Sequence, residues 1–141
     1  MFDQLNKYKK NDHFFFNSID SLEEKCNAPA DMDGVYLVYE LKNGRINLVY
    51  VGASGKRVIG PLKDGLIGLK ESIINGLIPA KTPRSQAWPV KMLSENIDAL
   101  DIYWWVTYKG NLKDHPESVA NTILNSHRRM FDELPTWNKK E

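Results

Sequence analysis

Two tripeptides carry the first chemical signal. Gly34-Val35-Tyr36 and Tyr50-Val51-Gly52 stand at opposite ends of the stretch GVYLVYELKNGRINLVYVG. Both flanks are rich in Val, Tyr and Leu, and the Asn43-Gly44 between them is a strong hairpin signal. The loop decides whether the two phenols meet. A two-residue Asn43-Gly44 loop pairs Tyr36 with Val51 and sends the tyrosines to opposite faces. A three-residue loop, Lys42-Asn43-Gly44, with Gly44 in the left-handed position of a bulge, sets Tyr36 opposite Tyr50 on one face. Downstream, Ser54 to Lys91 holds Lys56, Arg57, Lys63, Lys70, Lys81, Arg84 and Lys91 against Asp64 and Glu71, a local +5 hidden inside a whole-chain charge of +1. Trp88 in that segment and Tyr103-Trp104-Trp105 are candidate stacking surfaces. The plainer assignments are a first-turn helix acid for Glu117, a partly buried histidine for His127, a cap or loop residue for His115, and a central strand for Tyr103 to Trp105.

The elements that position these residues can be read from pattern. With 141 residues, 42% hydrophobic and 26% charged, the chain reads as one ordinary domain with a core. One cysteine, Cys26, excludes an internal disulfide framework and fits a reducing compartment. No apolar run reaches the roughly 20 residues that span a bilayer, and the first residues make a poor signal peptide, so a cytoplasmic protein is expected. Residues 1–32 read as an N-terminal helical appendage, with Ser21 and Glu24 as a capping box and Phe14, Phe15 and Phe16 beneath a helical lid. Residues 33–141 form the main domain. Leu66, Leu69, Ile73 and Leu77 fall at helical spacing with Gly76 near the end. TPRSQAWP reads as a loop, LDIYWWVTY as a buried strand, and DHPESVANTILNSHRRMF as a helix with Pro116 in its first turn. The order helix, strand, strand, helix, strand, helix predicts a small α/β sandwich with a three-stranded, mainly antiparallel sheet.

Taken together, roughly residues 33–138 resemble the GIY-YIG nuclease family, named for its two triplets, here GVY and YVG. The similarity extends to the basic helix-bearing segment, the third strand and the helix after it. It is closest to a branch with a Trp-Pro loop, here Ala87-Trp88-Pro89, and an LPxWN-like tail, here Leu134-Pro135-Thr136-Trp137-Asn138. The resemblance implies metal-dependent hydrolysis of nucleic-acid phosphodiesters. Tyr36 and Tyr50 would bind and activate the attacking water, a carboxylate would hold Mg²⁺ or Mn²⁺, an arginine would steady the phosphate, and Asn138 would brace the site. Gly52, Lys56, Arg57, Lys70, Arg84 and Trp88 would belong to the surface that binds DNA. The chemistry is coherent: a hard cation activates water, a guanidinium grips two phosphate oxygens, and a phenol acts as a base only if its pKa falls from about 10.

Two implied parts are missing at their expected positions. The arginine expected in the helix after the second triplet aligns with Ser72, and the expected glutamate aligns with Ala120. Shifting the alignment by three makes Glu117 the metal ligand, with Arg57 or Lys70 supplying the cation. Serine carries no charge and alanine binds no metal, so the favoured expectation is a degenerate site that binds nucleic acid without efficient cleavage and without a cofactor. The alternatives are an active divalent-metal-dependent endonuclease using Glu117, and a non-catalytic module that binds a protein partner.

Overall fold

The structure is a computed structural model, and it describes residues 2–55, 68–76 and 82–140. Strand β1 (Asn11–Phe16) is followed by the short helix α1 (Leu22–Lys25), β2 (Asp33–Lys42), β3 (Arg45–Ala53), α2 (Leu69–Asn75), α3 (Arg84–Ser94), β4 (Ala99–Lys109), β5 (Leu112–Lys113) and α4 (Pro116–Phe131). Two 3₁₀ turns, Asp3–Lys7 and Asn138–Lys140, flank them. All described strand pairs are antiparallel, in the order β1-β4-β2-β3 with β5 on β4. This α/β architecture matches expectation, but among the described residues the sheet has five strands rather than three. Asn11–Phe16, read as part of a helical appendage, pairs with Asn11 opposite Trp105 and Phe16 opposite Leu100. Its aromatic run suits an alternating strand: Phe14 and Phe16 are buried and Phe15 points out. Ser21 does cap α1, its Oγ accepting from the Glu24 N–H.

The hairpin is built from a two-residue turn. Asn43 and Gly44 both adopt left-handed φ values, 52° and 74°, and Lys42 pairs with Arg45. That register persists to Tyr39 opposite Leu48 and then shifts by one, so that Val38 faces Tyr50 and Tyr36 faces Gly52. Val49 is the extra residue of the bulge. Without it Tyr36 would face Val51, with the tyrosines on opposite faces. With it, both lie on one face, one pair apart. The phenols thus share a face, but through a bulge within β3 rather than a longer loop.

The sheet separates two cores. On one face Phe16, Tyr36, Val38, Tyr50, Leu100 and Ile102 pack under α1, α2 and α3 through Leu22, Leu69, Ile73, Trp88 and Met92. On the other, Val35, Leu37, Val51 and Ala53 meet Ala120 and Ile123 of α4 and Phe2, Leu5 and Tyr8 of the first 3₁₀ turn and its flanks. The region read as a loop, TPRSQAWP, contains the start of α3. Pro83 is its N-cap and Pro89 lies inside it. An internal proline removes one backbone bond and argues against a helix. Burial of Trp88 and Met92, four residues apart, outweighs that cost here. Helix α4 starts at Pro116, as expected, and ends on Asp132 in the left-handed conformation. Among the described residues no helix is long and apolar enough to cross a membrane.

Candidate functional site

The glycines of the two triplets explain how the tyrosines are seated. A Cβ at Gly34 would lie 1.8 Å from the Trp105 carbonyl oxygen, so β2 can approach β4 there only without a side chain. A Cβ at Gly52 would lie 2.2 Å from Cζ of Tyr36. The Tyr36 ring therefore lies across the glycine of the second triplet, fully buried, with its hydroxyl directed toward α2. The Tyr36 and Tyr50 rings are 6.0 Å apart, inclined at 41°.

Arg84, the first residue of α3, joins them. Nη1 donates to the Tyr36 hydroxyl and, at 2.9 Å, to the Ser72 carbonyl, while Nη2 donates to the Tyr50 hydroxyl at 3.2 Å. The guanidinium carbon is also 5.7, 5.1 and 5.3 Å from the ring centres of Tyr36, Tyr50 and Trp88. Ser72 stands where the resemblance called for an arginine. It is fully buried, and its hydroxyl donates to the Ala53 carbonyl at 3.2 Å. A guanidinium is thus present at the tyrosine pair, but α3 provides it rather than α2.

The C-terminal tail closes the edge of β3. Asn138 accepts from the Val51 N–H at 2.9 Å and donates back to the Val51 carbonyl at 3.0 Å, gripping the residue between Tyr50 and Gly52. Trp137 donates its backbone N–H to the Val49 carbonyl at 2.8 Å and packs 6.1 Å from Trp88. Trp88, a candidate stacking residue expected on a loop, is instead helical and 4% exposed, between Arg84 and Trp137.

The structure therefore brings together Tyr36, Tyr50, Gly52, Arg84, Trp88 and Asn138. Lys70 lies in α2, half-buried, with its backbone N–H bonded to Pro29. Lys56 and Arg57 lie outside the described residues. Glu117 is exposed in the first turn of α4, the helix whose buried side covers the opposite face of the sheet. There it lines a small cleft with Ser54, Gly55, His115 and Asn121. Beside that cleft, burial pushes the Asp33 carboxyl up while the Ser54 hydroxyl, donating to it at 3.0 Å, opposes the shift. His127 is buried, its Nδ1 at 2.7 Å from the Glu133 carbonyl. The Val49 bulge escaped the sequence reading, as did the parts that Trp137 and Ser72 play, Ser72 having entered only as the position of a missing arginine. Trp137 left a signal there as part of the LPxWN tail.

The donor set can be tested against the Mg²⁺ or Mn²⁺ that the resemblance implies. Among the described residues, a carbonyl and a guanidinium meet the phenol hydroxyls, and the guanidinium sets a positive charge between them. Divalent Mg²⁺ and Mn²⁺ prefer carboxylate and other oxygen ligands. Among the described residues no three His, Cys, Asp or Glu side chains gather as a metal site. Among the described residues, those at the tyrosine pair do not fit a divalent cation. No protein-family model, curated protein or solved structure matches this chain.

Proposed function

We propose that this domain is a GIY-YIG-like fold that binds nucleic acid, DNA in the first instance, and does not cleave it efficiently. The observation that supports this reading is the Arg84 bridge. The Tyr36 hydroxyl accepts from the guanidinium and lies 3.4 Å from the Ser72 carbonyl, to which it donates. A phenol held this way is poorly placed to take a proton from water. The guanidinium places a lasting positive charge where the family would use an arginine and a metal. Arginine on an aromatic support suits a phosphate, and phosphate contacts confer affinity without chemistry. The hairpin, the helices after it, the next strand and α4 follow the order that the resemblance implies. The sequence from Ser54 to Lys91, which includes Arg84 and Trp88, carries the excess positive charge.

The test is fluorescence anisotropy with labelled single- and double-stranded oligonucleotides, in parallel with cleavage assays in Mg²⁺ and Mn²⁺. Affinity is expected to fall steeply between about 50 and 200 mM salt. Arg84→Gln should weaken binding about tenfold and lower the salt slope by about one. No strand should be cut. Metal-dependent cutting lost in both Glu117→Ala and Tyr36→Phe would overturn the proposal in favour of a working endonuclease. Absence of binding to every oligonucleotide would overturn it in favour of a protein-interaction module. For that second reading the exposed Val90 and Leu93 of α3, 66% and 70% accessible, offer an apolar surface.

A further inference from the structure

The second face of the sheet, away from the tyrosine pair, carries a groove of about 310 Å³ between the first 3₁₀ turn and the odd-numbered residues of β4. Three half-buried aromatic side chains line it: Tyr39, Tyr103 and Trp105. Tyr39 and Tyr103 meet nearly at right angles, 80°, with centres 5.6 Å apart. Tyr103 and Trp105 stand nearly parallel at 6.0 Å. Asp101 and Asp3 supply carboxylates, and no Lys or Arg is among the described residues that line the groove. Asp101 is buried, 7% exposed, and its Oδ1 is held at 2.8 Å by Nδ1 of His13. That imidazole stacks on Tyr103 at 4.6 Å. The Asp101 carboxylate is thus buried behind an aromatic wall and held in place by its partner His13.

We propose that this groove binds a small organic cation bearing a quaternary or methylated ammonium. The charge selects the ligand. Aromatic faces are negative, and with carboxylates nearby they attract a positive head group and repel phosphate. The desolvation cost selects among cations. An unmethylated ammonium needs three acceptors, whereas a methylated one is weakly hydrated and is satisfied by aromatic walls. A hard metal ion fits poorly: one Asp101 oxygen is engaged by His13, and among the described residues no three His, Cys, Asp or Glu side chains gather as a metal site. The inference does not depend on the tyrosine cluster, which lies on the other side of the sheet.

Isothermal titration of the full chain with choline and tetramethylammonium, against 3,3-dimethylbutan-1-ol, tests the idea without any variant. The alcohol has the shape of choline and no charge. Saturable binding of both cations is expected, with the alcohol about tenfold weaker or worse. Asp101→Asn and Tyr39→Leu, each checked for folding by near-ultraviolet circular dichroism, should each weaken choline about tenfold. Equal binding of choline and the alcohol would overturn the proposal, because the groove would then be a neutral apolar slot. Failure of either cation to saturate would also overturn it. So would tighter binding of a deoxynucleoside that is lost in Tyr39→Leu, which would make the groove a base-stacking surface.

Discussion

The two faces of one sheet handle their tyrosines in opposite ways. Under α2 and α3, Tyr36 and Tyr50 are buried, and a protein guanidinium bridges their hydroxyls. On the face shared with α4, Tyr39 and Tyr103 stand half-exposed around carboxylates. One face contains its own cation, and the other presents a negative surface without one among its described lining residues. Strand alternation makes such a division available to any sheet, because neighbouring residues point to opposite sides. Covering helices then decide which side is closed.

The comparison is broken most severely by filling the space beneath Tyr36. Gly52→Ala would drive a methyl into the ring, which is itself fully buried and cannot swing away. A loss of about 3 kcal/mol in urea unfolding is expected, at the upper end for overpacking. Combining it with Tyr36→Leu should cost less than the sum of the two single changes, because the second removes the obstacle. A fully additive pair would show that the ring does not rest on Gly52. Next in size is Arg84→Met, which retains the apolar stem and removes the shared cation. A loss of about 2 kcal/mol is expected, since two phenols and the Ser72 carbonyl lose a charged donor. Arg84→Lys should recover less than half, as a single ammonium cannot span the same three acceptors. Wild-type stability in Arg84→Met would mean that the closed face needs no cation.

How much of this was readable from the sequence depended on how local its cause was. Strand β4 and helix α4 have long apolar patterns, and both were recoverable. A hairpin at Asn43-Gly44 was readable because these residues accept positive φ, though its loop length stayed open between two and three residues. A shared face for Tyr36 and Tyr50 was one of the two outcomes the sequence allowed, but its cause, a bulge at Val49 that no turn residue announces, was not readable. Nor was α3. Two prolines in the eight residues TPRSQAWP argue locally for a loop, and only the contacts of Trp88 and Met92 with distant segments overrule them. That error concealed the source of the arginine, because Arg84 reaches the phenols only from the first turn of this helix. Strand β1 was obscured for a similar reason: an edge strand of six residues is specified largely by its partner, β4.

The smallest effect separates the faces by pH. Tyr8, buried on the α4 face, donates a hydrogen bond to Asp114 at 2.7 Å. Burial, followed by that bond and by the carboxylate charge, pushes its phenol pKa well up. Tyr39 and Tyr103 on the same face are raised as well, first by burial and then by neighbouring groups that include Asp101. A folded pKa above the unfolded one means that the unfolded chain releases its proton first as pH climbs. Stability from Tyr8 is therefore complete below about pH 10 and falls as pH rises from there toward the folded pKa. One such group contributes a slope of up to about 1.4 kcal/mol per pH unit. Urea unfolding between pH 9 and 11 should show declining stability in the native chain and a shallower decline in Tyr8→Phe. The same substitution should also weaken the acid-side stability of Asp114, whose pKa is lowered first by the Tyr8 bond and then by Lys7. That contribution is present above the ordinary carboxylate pKa and disappears as pH falls through the depressed one. An unchanged alkaline slope in Tyr8→Phe would show that the α4 face does not hold this phenol in its neutral form.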